Sequence, residues 1–188
     1  MPVGEKIMSE PLQLSKKIVL LGDPSVGKTS VARKFVYDIF DDIYISTLGT
    51  KVSKKLVVFE NVFNTPKIEL TLLVWDVMGQ HDFVDYHKVA FTGCKGALIV
   101  CDITRTETIE NWYYWQKSIY RSEGEVPFII IGNKFDLAKK HQAGVELFND
   151  IVKGIKVPSF LTSAKTGENI EKAFSILGAN ILEKHFQE

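Results

Sequence analysis

The stretch GDPSVGKTS, Gly22 to Ser30, constrains this chain more than any other. It follows the apolar run KKIVLLG (16–22) and opens a segment of helical period that continues to about Tyr37. Strand, glycine-bearing loop and helix in that order match G-x-x-x-x-G-K-[ST] in the context the motif needs. Glycines let the backbone wrap a polyphosphate closely, while successive N–H groups and the helix N-terminus supply partial positive charge. Lys28 is then placed to reach β- and γ-phosphates, and the Thr29 hydroxyl to ligate Mg²⁺. The expected phosphate cradle is Asp23, Pro24, Ser25, Val26, Gly27, Lys28, Thr29 and Ser30.

The rest of the chain supplies a sheet to carry that loop. VSKKLVVFE (52–60) and KIELTLLVWD (67–76) read as a hairpin joined by NVFNTP, with Asn and Pro as turn residues. KGALIVCD (95–102), VPFIIIGNK (126–134) and VPSFLTSA (157–164) read as further strands. Helices are expected near 106–122, over 143–153 and over 167–186, the last with Ile170, Phe174, Leu177 and Ile181 on one face. Strands separated by helices require right-handed crossovers and a sheet covered on both sides. The expected architecture is three-layer α/β: a mostly parallel six-stranded sheet with one antiparallel strand and helices on both faces. Residues 1–15 read as a poorly ordered N-terminal extension and 16–186 as one domain, long enough to bury a full core.

Composition removes several function classes. Lys and Arg total 23 and so do Asp and Glu, so no global field favours nucleic acid or an anionic membrane. No apolar run reaches the roughly 18 residues of a membrane span. The N-terminus MPVGEKIMSEPLQL lacks a secretory apolar core, and Pro2 stands where myristoylation needs Gly. No cysteine follows Cys101 to accept a prenyl group. The expectation is a cytoplasmic monomer without an intrinsic membrane anchor, reaching a membrane only through partners. Cys94 and Cys101 read as buried thiols, neither disulfide nor metal ligands.

The choice of nucleotide rests on NKFD, Asn133 to Asp136, at the carboxyl end of a strand, where ligands of doubly wound sheets sit. A carboxylate there accepts two hydrogen bonds from guanine, from N1–H and the exocyclic amine. Adenine offers no such pair, and a buried Asp136 left unpaired against it costs about 1–3 kcal/mol. Asn133 is suited to tie loops together, and the Lys134 stem to cover the base. The next strand ends in TSAK, where Ser163, Ala164 and Lys165 would border the base and the Ala164 N–H suits guanine O6. A phosphoryl-transferring kinase would need an arginine-rich lid, and the corresponding region is taken up by other motifs.

GDPSVGKT, YISTLG, WDVMGQ, NKFD and TSAK stand in family-like order and spacing, and over residues 16–184 the chain resembles a small GTPase of the Ras superfamily, nearest the Rab branch. The resemblance implies a P-loop NTPase G domain that binds GTP/GDP with Mg²⁺. It implies slow hydrolysis of GTP to GDP and phosphate, and a switch read by protein effectors and controlled by an exchange factor and a GTPase-activating protein. It also implies that Thr47 joins Thr29 on Mg²⁺, with Asp76 acting through water. Phe40 would stack against guanine, Tyr44 would cover the phosphates, and the Gly79 N–H would contact the γ-phosphate. Gln80 would orient the attacking water, with Lys28 and Thr47 completing the catalytic set. Loss of the γ-phosphate would release Thr47 and Gly79 and relax both loops.

The competing reading is a guanine-nucleotide-bound interaction module with negligible turnover, kept open by Pro24 and Met78 where relatives carry small residues. His81 reads as a solvated or partner-facing side chain, Trp115 as core, and Trp112 to Tyr114 as undecided. The hairpin between Thr47 and Asp76 looks longer than in typical relatives and enlarges the surface where effectors bind in the family.

Pro24 borders the expected γ-phosphate position, so its ring would crowd an inserted arginine finger, a device worth on the order of 10³–10⁵ in rate. Pro24→Gly should be stimulated more strongly than the native chain by a cognate activating protein. Equal stimulation in a phosphate-release assay would contradict this.

Overall fold

The computed structural model describes residues 10–40, 50–77 and 89–188. Tyr44, Thr47, Met78, Gly79, Gln80, His81, Asp82 and Asp85 lie outside the described residues. Six strands form one sheet in the order β2-β3-β1-β4-β5-β6. Their ranges are β1 Leu12–Leu21, β2 Thr50–Val62, β3 Thr65–Val77, β4 Gly96–Asp102, β5 Phe128–Asn133 and β6 Ser159–Leu161. Among the described residues, only the β2–β3 pair is antiparallel; β1–β3, β1–β4, β4–β5 and β5–β6 are parallel. The helices are α1 Lys28–Tyr37, α2 Thr106–Glu110, α3 Trp112–Glu123, α4 Gln142–Lys153 and α5 Ile170–Gln187, with a 3₁₀ turn over Phe135–Lys140. This is the three-layer α/β sheet expected from the alternation of apolar runs and helical periods.

Two-sided burial follows from the period-2 pleat. Ile18 and Leu20 of β1 enter one apolar cluster with Phe35 of α1 and Phe174, Leu177 and Ile181 of α5. Val19 and Leu21 enter the other, with Ile109, Trp115, Ile119 and Phe148 from α2, α3 and α4. Adjacent residues of one strand therefore serve opposite layers, which is why the central strands read as continuous apolar runs. The two cysteines are free and buried, as expected, and burial pushes the Cys94 thiol up to about 11 and that of Cys101 further.

Four boundaries differ from the sequence reading. β1 starts at Leu12, because Leu12–Ser15 pair in parallel with Ile68–Thr71, so the last residues of the expected extension are strand. Pro66 lies within β3 and outside the turn; the hairpin closes on Phe63 and Asn64, both with positive φ (49° and 58°), as a two-residue primed turn requires. Phe63 tolerates that conformation with its ring stacked on Phe186 of α5, centroids 5.1 Å apart. The helix expected over 106–122 is two helices, broken at Asn111. β6 is only three residues long, because the chain turns toward the site after Leu161.

Phe35 and Phe174 stack face to face at 3.8 Å between ring centroids, nearly parallel and fully buried, and so join α1 to α5. Phe174→Ala should cost about 3–5 kcal/mol. Urea denaturation followed by circular dichroism would measure it, and a loss under 1 kcal/mol would be incompatible with this packing.

Candidate functional site

The loops at the carboxyl ends of β1, β4, β5 and β6 meet at one edge of the sheet, together with Asp76 near the end of β3. The turn after β1 is shaped by two glycines. Gly22 has φ 138°, and a Cβ there would lie 2.1 Å from the Val100 carbonyl oxygen. Gly27 has φ 98°, and a Cβ there would lie 2.5 Å from Asn133 Nδ2. Gly27 also begins α1, accepting the Val31 N–H at 2.8 Å, with no side chain capping the first turn. The early N–H groups of α1 thus face the loop, the arrangement that favours an anion.

Lys28 is buried and folds back over this loop, its Nζ donating to the Gly22 and Asp23 carbonyls at 2.8 and 2.9 Å. Burial pushes its pKa down to about 8, against the opposing pull of the Asp76 and Asp23 carboxylates. Thr29 Oγ1 donates to Asp76 Oδ2 at 2.5 Å, so α1 and the end of β3 place a hydroxyl and a carboxylate together. These are the hard oxygen donors that a small divalent cation such as Mg²⁺ selects, and the pair fits it. Val26 is core, and Pro24 and Ser25 are exposed.

Asn133 joins this loop to the next. Its Nδ2 donates to the Val26 carbonyl at 3.0 Å, and its Oδ1 accepts the Ala164 N–H at 3.1 Å. The Ala164 N–H is therefore engaged with Asn133, and a guanine O6 would have to share it. Ser163 Oγ donates to Asp136 Oδ1 at 2.7 Å and accepts the Thr166 N–H at 3.1 Å, which fixes the carboxylate between the two loops. Asp136 is exposed, contrary to the burial assumed from sequence, because it lies in the 3₁₀ turn beyond the strand end. Its discrimination between bases would thus depend on the ligand itself excluding water. Lys165 is exposed, and Ser30 and Phe40 are half-buried, Phe40 against the α1–α5 core. The structure brings Asp23 to Ser30, Asp76, Asn133, Lys134, Asp136 and Ser163 to Lys165 to one edge. Tyr44, Thr47, Gly79 and Gln80 lie outside the described residues.

Sequence reasoning missed a second ring of contacts. The Asp23 carboxylate accepts Trp115 Nε1–H at 2.8 Å and Asn111 Nδ2–H at 2.7 Å. Arg105 Nη2 donates to the Pro24 carbonyl at 2.7 Å. Asp102, fully buried at the end of β4, pairs with Lys134 at 2.5 Å and Arg105 at 3.3 Å. Burial alone would raise the Asp102 pKa, but hydrogen bonds from Lys134 and Thr104 hold it below the usual carboxylate range. One available signal was that a buried Trp needs an acceptor for its N–H. Trp115 is core as expected, Trp112 is half-buried, and Tyr113 and Tyr114 are exposed.

The sheet order, the phosphate loop and the NKFD loop together define a P-loop GTPase G domain. A family model described as the Ras family matches residues 17–183. Among curated proteins, the chain is 35% identical over 177 residues to Ras-related protein Rab-32A of Dictyostelium discoideum, covering 89% of this chain and 78% of that one. It is 34% identical over 169 residues to Ras-related protein Rab-13 of Rattus norvegicus, covering 89% and 80%. It is 32% identical over 170 residues to GTP-binding protein ypt1 of Schizosaccharomyces pombe, covering 89% and 80%. The chain belongs to the Ras family and is a Rab-like small GTPase. Among the described residues, no helix is long and apolar enough to cross a membrane.

Trp115→Phe keeps an aromatic ring, smaller than the indole, and removes the donor to Asp23, which is 6% exposed. It should destabilise the chain by about 1–3 kcal/mol. Tyr113→Phe, at an exposed ring, should stay within about 0.5 kcal/mol of native. Equal effects of the two substitutions in thermal denaturation would contradict the assigned bond.

Proposed function

We propose that this chain binds GTP and GDP with Mg²⁺, hydrolyses GTP slowly to GDP and phosphate, and recruits protein partners in one nucleotide state. The observation that carries the reading is Asn133, which bonds to the phosphate loop and the TSAK loop at once. A nucleotide held by one of these loops would be held by both.

In this reading the α1 N-terminus and Lys28 hold the β- and γ-phosphates. Asp136 and Ala164 read the guanine edge, the Lys134 stem covers the base, and Phe40 and Tyr44 close over the nucleotide. Thr29, Thr47 and Asp76 would hold Mg²⁺, the last through water; bound there, the ion neutralises charge developing on the phosphates. Gln80 orients the attacking water, and Gly79 gives its N–H to the γ-phosphate. Catalysis is then positioning and charge stabilisation, with no covalent intermediate. When the γ-phosphate leaves, Thr47 and Gly79 lose their ligand and both switch segments relax. Effectors, an exchange factor and an activating protein would read and reset this change, in the cytoplasm or peripherally at a membrane through such partners.

Purified chain supplied with GTP and Mg²⁺ should release phosphate slowly, and Gln80→Leu should slow it by about tenfold or more. A rate indifferent to Gln80→Leu would remove Gln80 from its role. Bound guanine nucleotide with no measurable turnover in the native chain would favour the interaction-module reading.

A further inference from the structure

We propose that Arg105 is a positioning residue that fastens the phosphate loop to the guanine loop and so sets how long a bound guanine nucleotide is retained. The proposal rests on the nucleotide site described above, but Arg105 and its partner Asp102 are not among the residues proposed to touch the nucleotide. Arg105 stands at the N-cap of α2 with extended backbone (φ −136°) and no side-chain capping bond, so its side chain is not engaged in starting the helix. Its guanidinium reaches two loops. Nη2 donates to the Pro24 carbonyl at 2.7 Å, and Nε donates to Asp102 Oδ2 at 3.3 Å.

Asp102 makes that second contact consequential. Its side chain is completely buried, and the same Oδ2 pairs with Lys134 of NKFD at 2.5 Å. Its other oxygen, Oδ1, accepts the Thr104 N–H at 2.9 Å and the Thr104 hydroxyl at 2.7 Å, which fixes the carboxylate's orientation. One rigid buried anion thus holds both the lysine expected to cover the base and the arginine that grips the phosphate loop. A displacement of Pro24 is transmitted through Arg105 and Asp102 to Lys134, a path that Asn133 does not share. Arginine suits this position because its planar fork can serve two acceptors at fixed spacing, where a lysine ammonium makes a point contact.

The relay is separable from the fold. Arg105 is 37% exposed, and the same loop is also held by Trp115 and Asn111 through Asp23. Removing Arg105 should therefore loosen the join between the loops and leave the chain folded.

The test is release of the fluorescent analogue mant-GDP into excess unlabelled GDP, with Mg²⁺ present. Arg105→Gln should release it about tenfold faster with an unchanged association rate, as loss of charge-assisted bonds predicts. Arg105→Lys, which keeps the charge and also serves should the Gln variant not fold, should fall between, about threefold faster. Placed on Asp102→Asn, the Arg105→Gln change should add less than about twofold, because the relay is already cut. Release within about twofold of native in both Arg105 variants would overturn the proposal. So would a full additive effect on the Asp102→Asn background, or slower association in place of faster release. Failure of the native chain to bind mant-GDP at all would instead overturn the nucleotide site, and the relay with it.

Discussion

The side-chain amide of Asn133 is the join on which the site depends. It is almost fully buried, it ends β5, and each half of the amide is used by a different loop. The bond to Val26 requires the phosphate loop to approach within contact distance, and that approach requires Gly27, where any side chain would strike the amide. The bond to Ala164 fixes the turn after β6, which in turn sets Ser163 against Asp136. A buried amide short of a partner costs about 1–3 kcal/mol, so the two loops cannot drift apart cheaply. The geometry of one residue thus carries over into the shape of the whole edge.

Behind that edge, the doubly covered sheet gives the loops fixed anchors. The clusters on the two faces share strands but not residues, with Ile18 and Leu20 on one side and Val19 and Leu21 on the other. The phosphate loop leaves β1, near the middle of the sheet order, directly after Ile18–Leu21, which are buried between the two layers, so its starting point is firmly held. The β2–β3 hairpin lies at the β2 edge, where Val52, Leu56 and Val58 are exposed.

Most of this fold was legible because its signals are local. Short apolar runs and helical periods alternate, and Gly27, Lys28 and Thr29 act within one turn of chain. What escaped was decided by contacts distant in sequence. At the helix break, the Asn111 side chain donates to Asp23, 88 positions away. The early start of β1 is a matter of pairing with β3, and the placement of Phe63 in the turn is supported by a ring on α5. At the site, motif spacing picked out the residues proposed to face a nucleotide but gave no hint of those that brace them. Arg105, Asn111 and the N–H of Trp115 belong to no motif and meet the loop only once the chain is folded. Asp136 was assigned from a pattern that says nothing of exposure, and its position beyond the strand end leaves it open to solvent.

A loop pair joined in this way should select one base and hold it through purification. The most direct measurement is the identity and amount of nucleotide released when the purified chain is denatured, read by anion-exchange chromatography. About one equivalent of guanine nucleotide per chain is the predicted result. Adenine nucleotide, or a chain that carries none and takes up GDP and ADP equally, would contradict it.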